Sequence, residues 1–302
     1  MERMVAPSRS YVTLLALAAA ALALSTSVGA KPAPVAPDAK SFTLGALKVF
    51  ALRDADNVVD NDSKVFGVGH SPAEVAAVLR KAGAPETPIT ISVDALLVEG
   101  GGRVMLFDTG LGPRVHGVLI ESLARAGLRP AEVTDIFITH SHGDHVGGLV
   151  GPSGGPAFPH AVVHMSAREW AFMKSQPQNA ALVQAISAQV KAFEPGGDLA
   201  PGVRAVALYG HTPGHVGYQI SSGGARLLDF GDAAHSSIVS LAKPDWSIGY
   251  DNDDAQGKAT RKATLADLAH SGELAFGPHM PFPGVGHVVA SGDGYVWKPS
   301  LP

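Results

Sequence analysis

A chain of 302 residues, 46% apolar and 17% charged, carries enough apolar material for a full core, and one catalytic domain is its simplest organisation. A net charge of -4 with a pI near 6.3 gives no basic footprint for nucleic acid or an anionic membrane, so small neutral substrates fit better. There is no cysteine, which excludes disulfides and thiolate ligands and leaves His, Asp and Glu to hold any transition metal.

Residues 1–30 read as an export signal. Arg3 and Arg9 flank a polar start, residues 11–24 form a Leu- and Ala-rich run, and Val28-Gly29-Ala30 offers small residues for a signal-peptidase cut. The run is shorter than the roughly 20 residues of a spanning helix. The expectation is a periplasmic or secreted protein without stable membrane insertion, with an uncleaved anchor as the alternative. Residues 31–44 contain three prolines and no periodic apolar pattern, which predicts a linker ahead of a catalytic domain at residues 45–302. Within that domain, short apolar runs predict strands at residues 47–52, 91–98, 104–107, 135–139, 161–164, 203–208, 218–221 and 225–230. Apolar residues recurring at three- and four-residue steps predict helices at residues 72–82, 115–126, 167–174, 180–193 and 258–271, an interleaved α/β pattern.

Polar residues cluster at the ends of these strands. Ile136-Phe137-Ile138-Thr139 leads directly into His140-Ser141-His142-Gly143-Asp144-His145, three imidazoles and a carboxylate within six residues. Spacing by two sends His140 and His142 to the same side of an extended segment, and Gly143 lets the backbone turn before Asp144. The same strand-then-histidine layout recurs at Gly210-His211-Thr212-Pro213-Gly214-His215, at Asp232 after a strand ending near Phe230, and at His279 after residues 274–277. One rim then gathers candidate ligands from several strands.

With these motifs the chain resembles the metallo-β-lactamase-fold hydrolases, through the H-x-H-x-D-H run and the G-H-T-P-G-H and G-D elements in the family's order. It is most similar to the methyl parathion hydrolase branch, on His211 to His215, Asp108-Thr109-Gly110 and residues 279–287. The resemblance implies an αββα sandwich, two mixed sheets face to face with helices outside. It implies one divalent metal on His140, His142 and His211, a second on Asp144, His145 and His279, and Asp232 bridging both. Zinc suits such all-N/O ligation, with manganese, iron or cobalt as substitutes. A hydroxide shared by the two cations then attacks a carbonyl or phosphoryl centre, with Asp144 helping to orient it. Small esters, lactones or phosphotriesters are the implied substrates, and a homodimer is compatible with the resemblance.

Around the ligands, Asp108 is expected beneath the site and His215 beside it as hydrogen-bonding supports. His235 stands where many acyl-homoserine lactonases carry a substrate-contacting tyrosine; it serves as hydrogen-bond donor or proton relay, or else faces solvent. His287 is a site residue or a structural histidine at the Pro-Gly-Val-Gly turn. Phe66, Trp170, Phe172, Met173 and Phe282 are candidate pocket walls, with ordinary helix packing as the alternative. Asp232 and the missing cysteines argue against a dedicated β-lactamase, although β-lactam hydrolysis on the same site is one alternative function. A mononuclear-iron, persulfide dioxygenase-type oxidoreductase is the alternative of another class.

Overall fold

Strand pairing begins at Ala30. The computed structural model describes residue 1 and residues 29–302, so the expected signal at residues 1–30 lies almost wholly outside the described residues. Residues 31–44 do not form the expected linker. Strands β1 (Ala30–Ala33) and β2 (Ala39–Leu44) both pair antiparallel with β3 (Leu47–Val59). The cause of this correction is local. Phe42 and Leu44 alternate with the exposed Ser41 and Thr43 and enter the core, while Pro32 is tolerated because β1 is an edge strand.

The first sheet grows from this hairpin. After β4 (Phe66–Val68) and α1 (Pro72–Lys81), β5 (Ile89–Gly100) runs antiparallel along nearly all of β3, and β6 (Arg103–Phe107) follows it. Strands β7 (Asp135–Phe137), β8 (Val162–Ser166) and β9 (Val190–Phe193) then join in parallel. The connections carry α2 (Leu119–Arg125), α3 (Gly143–Val146), α4 (Ala167–Ser175) and α5 (Ala180–Ile186). The helix expected across residues 180–193 is therefore split: its last residues, Val-Lys-Ala-Phe, are captured by the open edge of β8 as β9. Likewise the helix expected from residue 115 starts at Leu119, after the left-handed His116 (φ 69°).

The second sheet has the order β10 (Asp198–Ala200), β11 (Val203–Ala207), β12 (Val216–Ser222), β13 (Ala225–Asp229), β15 (Leu274–Phe276), β16 (Val285–Ser291), β17 (Gly294–Pro299), with only β13 and β15 parallel. A two-stranded patch of β14 (Ser247–Ile248) and β4 stands apart, and α6 (Val239–Ala242) and α7 (Asp254–Ser271) lie along this half.

Burial follows from strand periodicity. On β5, Leu96 and Val98 enter the core between the sheets, while Ala95 and Leu97 pack under α2, α4 and α5. On the far side, Leu228, Ala275 and Val288 pack against Leu265 and Leu268 of α7. The result is the expected αββα sandwich. Among the described residues no helix is long and apolar enough to cross a membrane. Strands β6, β7, β13 and β15 all end on one rim, and the residues that leave them are Asp108, Thr139-His140, Gly231-Asp232 and Gly277 to His279. Loops beyond the carboxyl ends of parallel strands are where such sheets place their ligands.

Candidate metal centre

The first cluster forms where two loops meet. His140 Nε2, His142 Nδ1 and His211 Nε2 lie 2.8–3.2 Å from one another. Asp232 Oδ2 stands 3.6 Å from His140 Nε2 and 3.3 Å from His211 Nε2. The second cluster shares that carboxylate. His145 Nε2 is 3.3 Å from Asp232 Oδ1 and His279 Nε2 is 3.2 Å from Asp232 Oδ2, with Asp144 at 3.9 and 3.7 Å from the same two rings. Helix α3 begins directly after His142, which is why Asp144 and His145 turn away from His140 and His142 and into a second group.

These atoms fit cations and little else. Among the described residues His145 Nε2 and Asp232 Oδ1 are buried with no hydrogen-bond partner, a costly state unless an ion takes the lone pairs. The outer ring nitrogens, by contrast, are engaged. His145 Nδ1 donates to Asp108 Oδ2 at 2.7 Å, His211 Nδ1 to Asp251 Oδ1 at 3.1 Å, and His279 Nδ1 to the Ser92 carbonyl at 2.6 Å. Each such bond places the ring proton outside and aims the other lone pair inward, as metal ligation requires. Charge tells the same story. Burial alone would raise Asp232, yet electrostatic attraction to the surrounding imidazoles, His145 and His279 foremost, holds it well below the usual carboxylate range. Burial opposes a charged His211, but its bonds to Asp232 and Asp251 carry it up to about 9. The carboxylates thus demand positive charge, and divalent ions supply it with the rings neutral.

The family model described as the metallo-beta-lactamase superfamily matches residues 89–270. The chain belongs to the metallo-beta-lactamase superfamily. AidC, a dizinc quorum-quenching lactonase solved with a hexanoyl-homoserine product, is 30% identical with a TM-score of 0.82, over 87% of this chain and 98% of AidC. The hydrolase AbOPH, of the beta lactamase superfamily, is 29% identical with a TM-score of 0.79, over 88% and 98% of the two chains. Metallo-beta-lactamase domain-containing protein 1 of Xenopus laevis is 36% identical over 122 residues, 40% of this chain and 43% of the frog protein, so less than half of that relative's length is matched. The chain is accordingly a metal-dependent hydrolase of the superfamily.

In this superfamily member the supports around the clusters come from distant segments. Asp108, left-handed at φ 59°, accepts from Thr139 N at 2.8 Å and Thr139 Oγ1 at 2.7 Å as well as from His145. His215 joins neither cluster. Its Nδ1 donates to the Leu208 carbonyl at 2.8 Å, and its Nε2 accepts from Asp232 N at 2.9 Å. Burial and the nearby charge of His211 hold this ring down to about 3, so Nε2 keeps its lone pair. Gly231 approaches so closely that a Cβ there would lie 2.6 Å from His215 Nε2.

Five supports were not anticipated from sequence. Asn57 Nδ2 donates to Asp144 Oδ2 at 3.2 Å, and Ser92 offers only its backbone carbonyl to His279, which no motif reveals. Glu169 is fully buried and accepts from Ser141 N and Oγ at 2.8 and 2.6 Å, Thr212 Oγ1 at 2.6 Å and Gly214 N at 3.0 Å. A signal for it existed in Ser166-Ala-Arg-Glu169, but that pattern reads as a helix capping box. Ser166 does cap Glu169 N, while the Glu169 carboxylate turns to the two histidine loops. Asp251 reaches His211 with one oxygen and Arg261 with the other, at 3.3 Å, and Arg261 also donates to the Pro244 and Trp246 carbonyls. Both members of that pair are about 1% exposed. Arg261→Met strands a buried carboxylate, so a loss of about 3–5 kcal/mol is expected in urea unfolding, together with weaker metal retention. A loss under about 1 kcal/mol would contradict this account of the pair.

The remaining expectations divide. His235 does not face solvent: it is 1% exposed, its Nε2 is 3.0 Å from Asp232 Oδ2, and its ring stacks on His279 at 5.5 Å. His287 is structural, donating to the Glu273 carbonyl at 3.2 Å behind the site. Met173 is buried in the core beneath the first sheet, and Trp170 packs beside it with Lys174 across its indole, the helix packing given above as the alternative. The reason is helical period: α4 turns Trp170 and Met173 to the sheet, and Phe172 is half-buried on the same helix. Phe66 is buried in a satellite cluster against which Tyr250 and Trp246 pack. Phe282 is half-buried, and its N–H donates to Ser92 Oγ at 3.2 Å, close behind His279.

Proposed function

We propose that the protein is a dinuclear-metal hydrolase, with zinc as the fitting ion, that opens lactones and related small esters. The observation that carries this reading is Asp232, whose Oδ2 faces His140, His211 and His279 and whose Oδ1 faces His145, so that one carboxylate borders both donor groups, His140-His142-His211 and Asp144-His145-His279. The lactone preference is supported by the likeness to AidC along nearly all of that chain.

Two divalent ions bound there would activate water near neutral pH and polarise an ester carbonyl. The chain's own residues do the rest. Asp108, Asp251 and the Ser92 carbonyl fix the outer N–H of His145, His211 and His279, so that each ring, when neutral, would present its lone pair inward to a metal. Asn57 fixes the rotamer of Asp144. Burial holds His235 down to about 4, so it stands neutral beside Asp232 with one N–H and one lone pair. A neutral imidazole in that place accepts a proton from water or returns one to the leaving alkoxide. His142 alone of the first cluster is partly exposed, which marks the open side by which substrate enters.

The test is kcat/KM for the zinc-loaded protein on a γ-lactone, an aryl ester, a phosphotriester and a β-lactam. The lactone is expected to lead. Chelation is expected to abolish turnover and to lower Tm, with both restored by zinc, because ligands that bind only the folded state stabilise it. No lactone turnover above the metal-free protein, or one iron per chain with oxygen uptake, would overturn the reading.

A further inference from the structure

Tyr250 belongs to no ligand group, yet its position is unusual for a tyrosine. The residue as a whole is partly exposed, while its hydroxyl is buried and has no hydrogen-bond partner among the described residues. A tyrosine serving only to pack at a surface does the reverse, with its ring inside and its hydroxyl in water. Here part of the residue reaches the surface while the hydroxyl is its buried end. Its ring centroid is 5.5 Å from that of His235, and it packs on the cluster containing Phe66 and Val239.

The backbone at this point is held from both sides. Gly249 N donates to the Val65 carbonyl at 2.8 Å, and a Cβ on Gly249 would strike the Lys64 carbonyl at 2.0 Å. Asp251 is anchored through His211 and Arg261. The phenol therefore cannot easily swing out to find water. Burial, and the negative charge of Asp144 and Asp232, push its titration upward, so the hydroxyl keeps its proton and is available to donate. A fixed, protonated and unpartnered O–H next to the carboxylate cluster is a hydrogen bond waiting for an acceptor.

We propose that Tyr250 is a catalytic residue: its O–H donates to the carbonyl-derived oxygen of the substrate, which gains negative charge as the tetrahedral centre forms. This rests on the ester or lactone reading above. It also explains why His235, at 3.0 Å from Asp232 Oδ2, can be given to proton transfer: the neutral donor comes from a different loop.

The experiment is Tyr250→Phe, which keeps the ring and its packing, so metal content and Tm are expected to match wild type. On a γ-lactone that the wild type opens, kcat is expected to fall by about 10²-fold with KM little changed, the signature of a donor used mainly in the transition state. The preference for a lactone over its thionolactone, whose sulfur is a poor acceptor, is expected to shrink in the variant. As a readout apart from turnover, calorimetric affinity for ring-opened N-hexanoyl-L-homoserine is expected to weaken by about tenfold. Wild-type kcat and wild-type affinity in the variant overturn the role of Tyr250 while leaving the lactonase reading intact. A wild-type protein that opens another ester but no lactone overturns the lactonase reading, and the variant is then measured on that ester, where an unchanged kcat overturns Tyr250 as well. Neither turnover nor binding by wild type overturns both.

Discussion

Asp232→Ala is expected to empty the centre and stop hydrolysis. The carboxylate is 3% exposed and within 3.6 Å of ring nitrogens from His140, His145, His211, His235 and His279. Among the described residues no other side chain borders both donor groups, so its loss leaves two incomplete sets of ligands and removes the negative charge that draws cations between them. Elemental analysis is expected to show metal falling from about two ions per chain to fewer than one, and kcat/KM to fall by at least about 10³-fold, equivalent to roughly 4 kcal/mol of lost transition-state stabilisation. Asp232→Asn separates shape from charge, since it fills the same space and still accepts at one atom. The asparagine variant is expected to fold like wild type and to remain nearly as inactive as the alanine variant. Full metal content and activity in Asp232→Ala would refute the shared-ligand assignment.

Glu169→Ala is expected to produce the second largest effect, by a different route. Glu169 touches no candidate ligand directly, but it accepts from Ser141, between His140 and His142, and from Thr212 and Gly214, just after His211. One carboxylate therefore sets the distance between the two loops of the first cluster. Removal strands two buried backbone N–H groups, at about 1–3 kcal/mol each, and leaves a void at the start of α4. Gly214 cannot compensate by substitution, because a Cβ there would lie 2.1 Å from Glu169 N. Stability is expected to rank wild type, then Glu169→Gln, then Glu169→Ala, since the amide retains one acceptor but faces a second N–H with its own. Metal affinity, read by competition with a coloured chelator, is expected to weaken by about 10–100-fold. Destabilisation with wild-type affinity would reduce Glu169 to a purely structural residue.

The ease of finding His140 to His145, His211, Asp232 and His279 from sequence has a physical cause. Each follows a short apolar strand directly, and a strand's end fixes where the next few side chains can go. The supports are harder because they act through single groups delivered by the tertiary fold. Asp251 is one acid among several between Asp251 and Asp254, and nothing local says that it meets His211. Tyr250 shows its meaning only in the mismatch between a partly exposed residue and its buried hydroxyl. The interleaved α/β pattern was legible because long strands such as β3 and β5 carry strong apolar patterns, whereas the sandwich followed only from the resemblance that the histidine motifs carry. The short strands β10, β14 and β15, of two or three residues, exist through pairing with neighbours far along the chain. At the N-terminus three prolines obscured the alternation of Phe42 and Leu44, which the edge position of β1 and β2 allows.

The two halves of the chain contribute to the centre as separate hands of one clasp. His140, His142, Asp144 and His145 are carried by the first sheet, and His211, Asp232 and His279 by the second. Neither sheet alone owns a full set, so tight ion capture waits until the sandwich has closed. Once seated, ions resist its reopening, since the faces can part only by breaking ligand bonds on one side. Retained metal then becomes a proofreading signal for assembly: a chain with either sheet misdocked leaks its ions, and slow amide exchange along β7 and β13 is expected to appear in step with zinc uptake rather than before it.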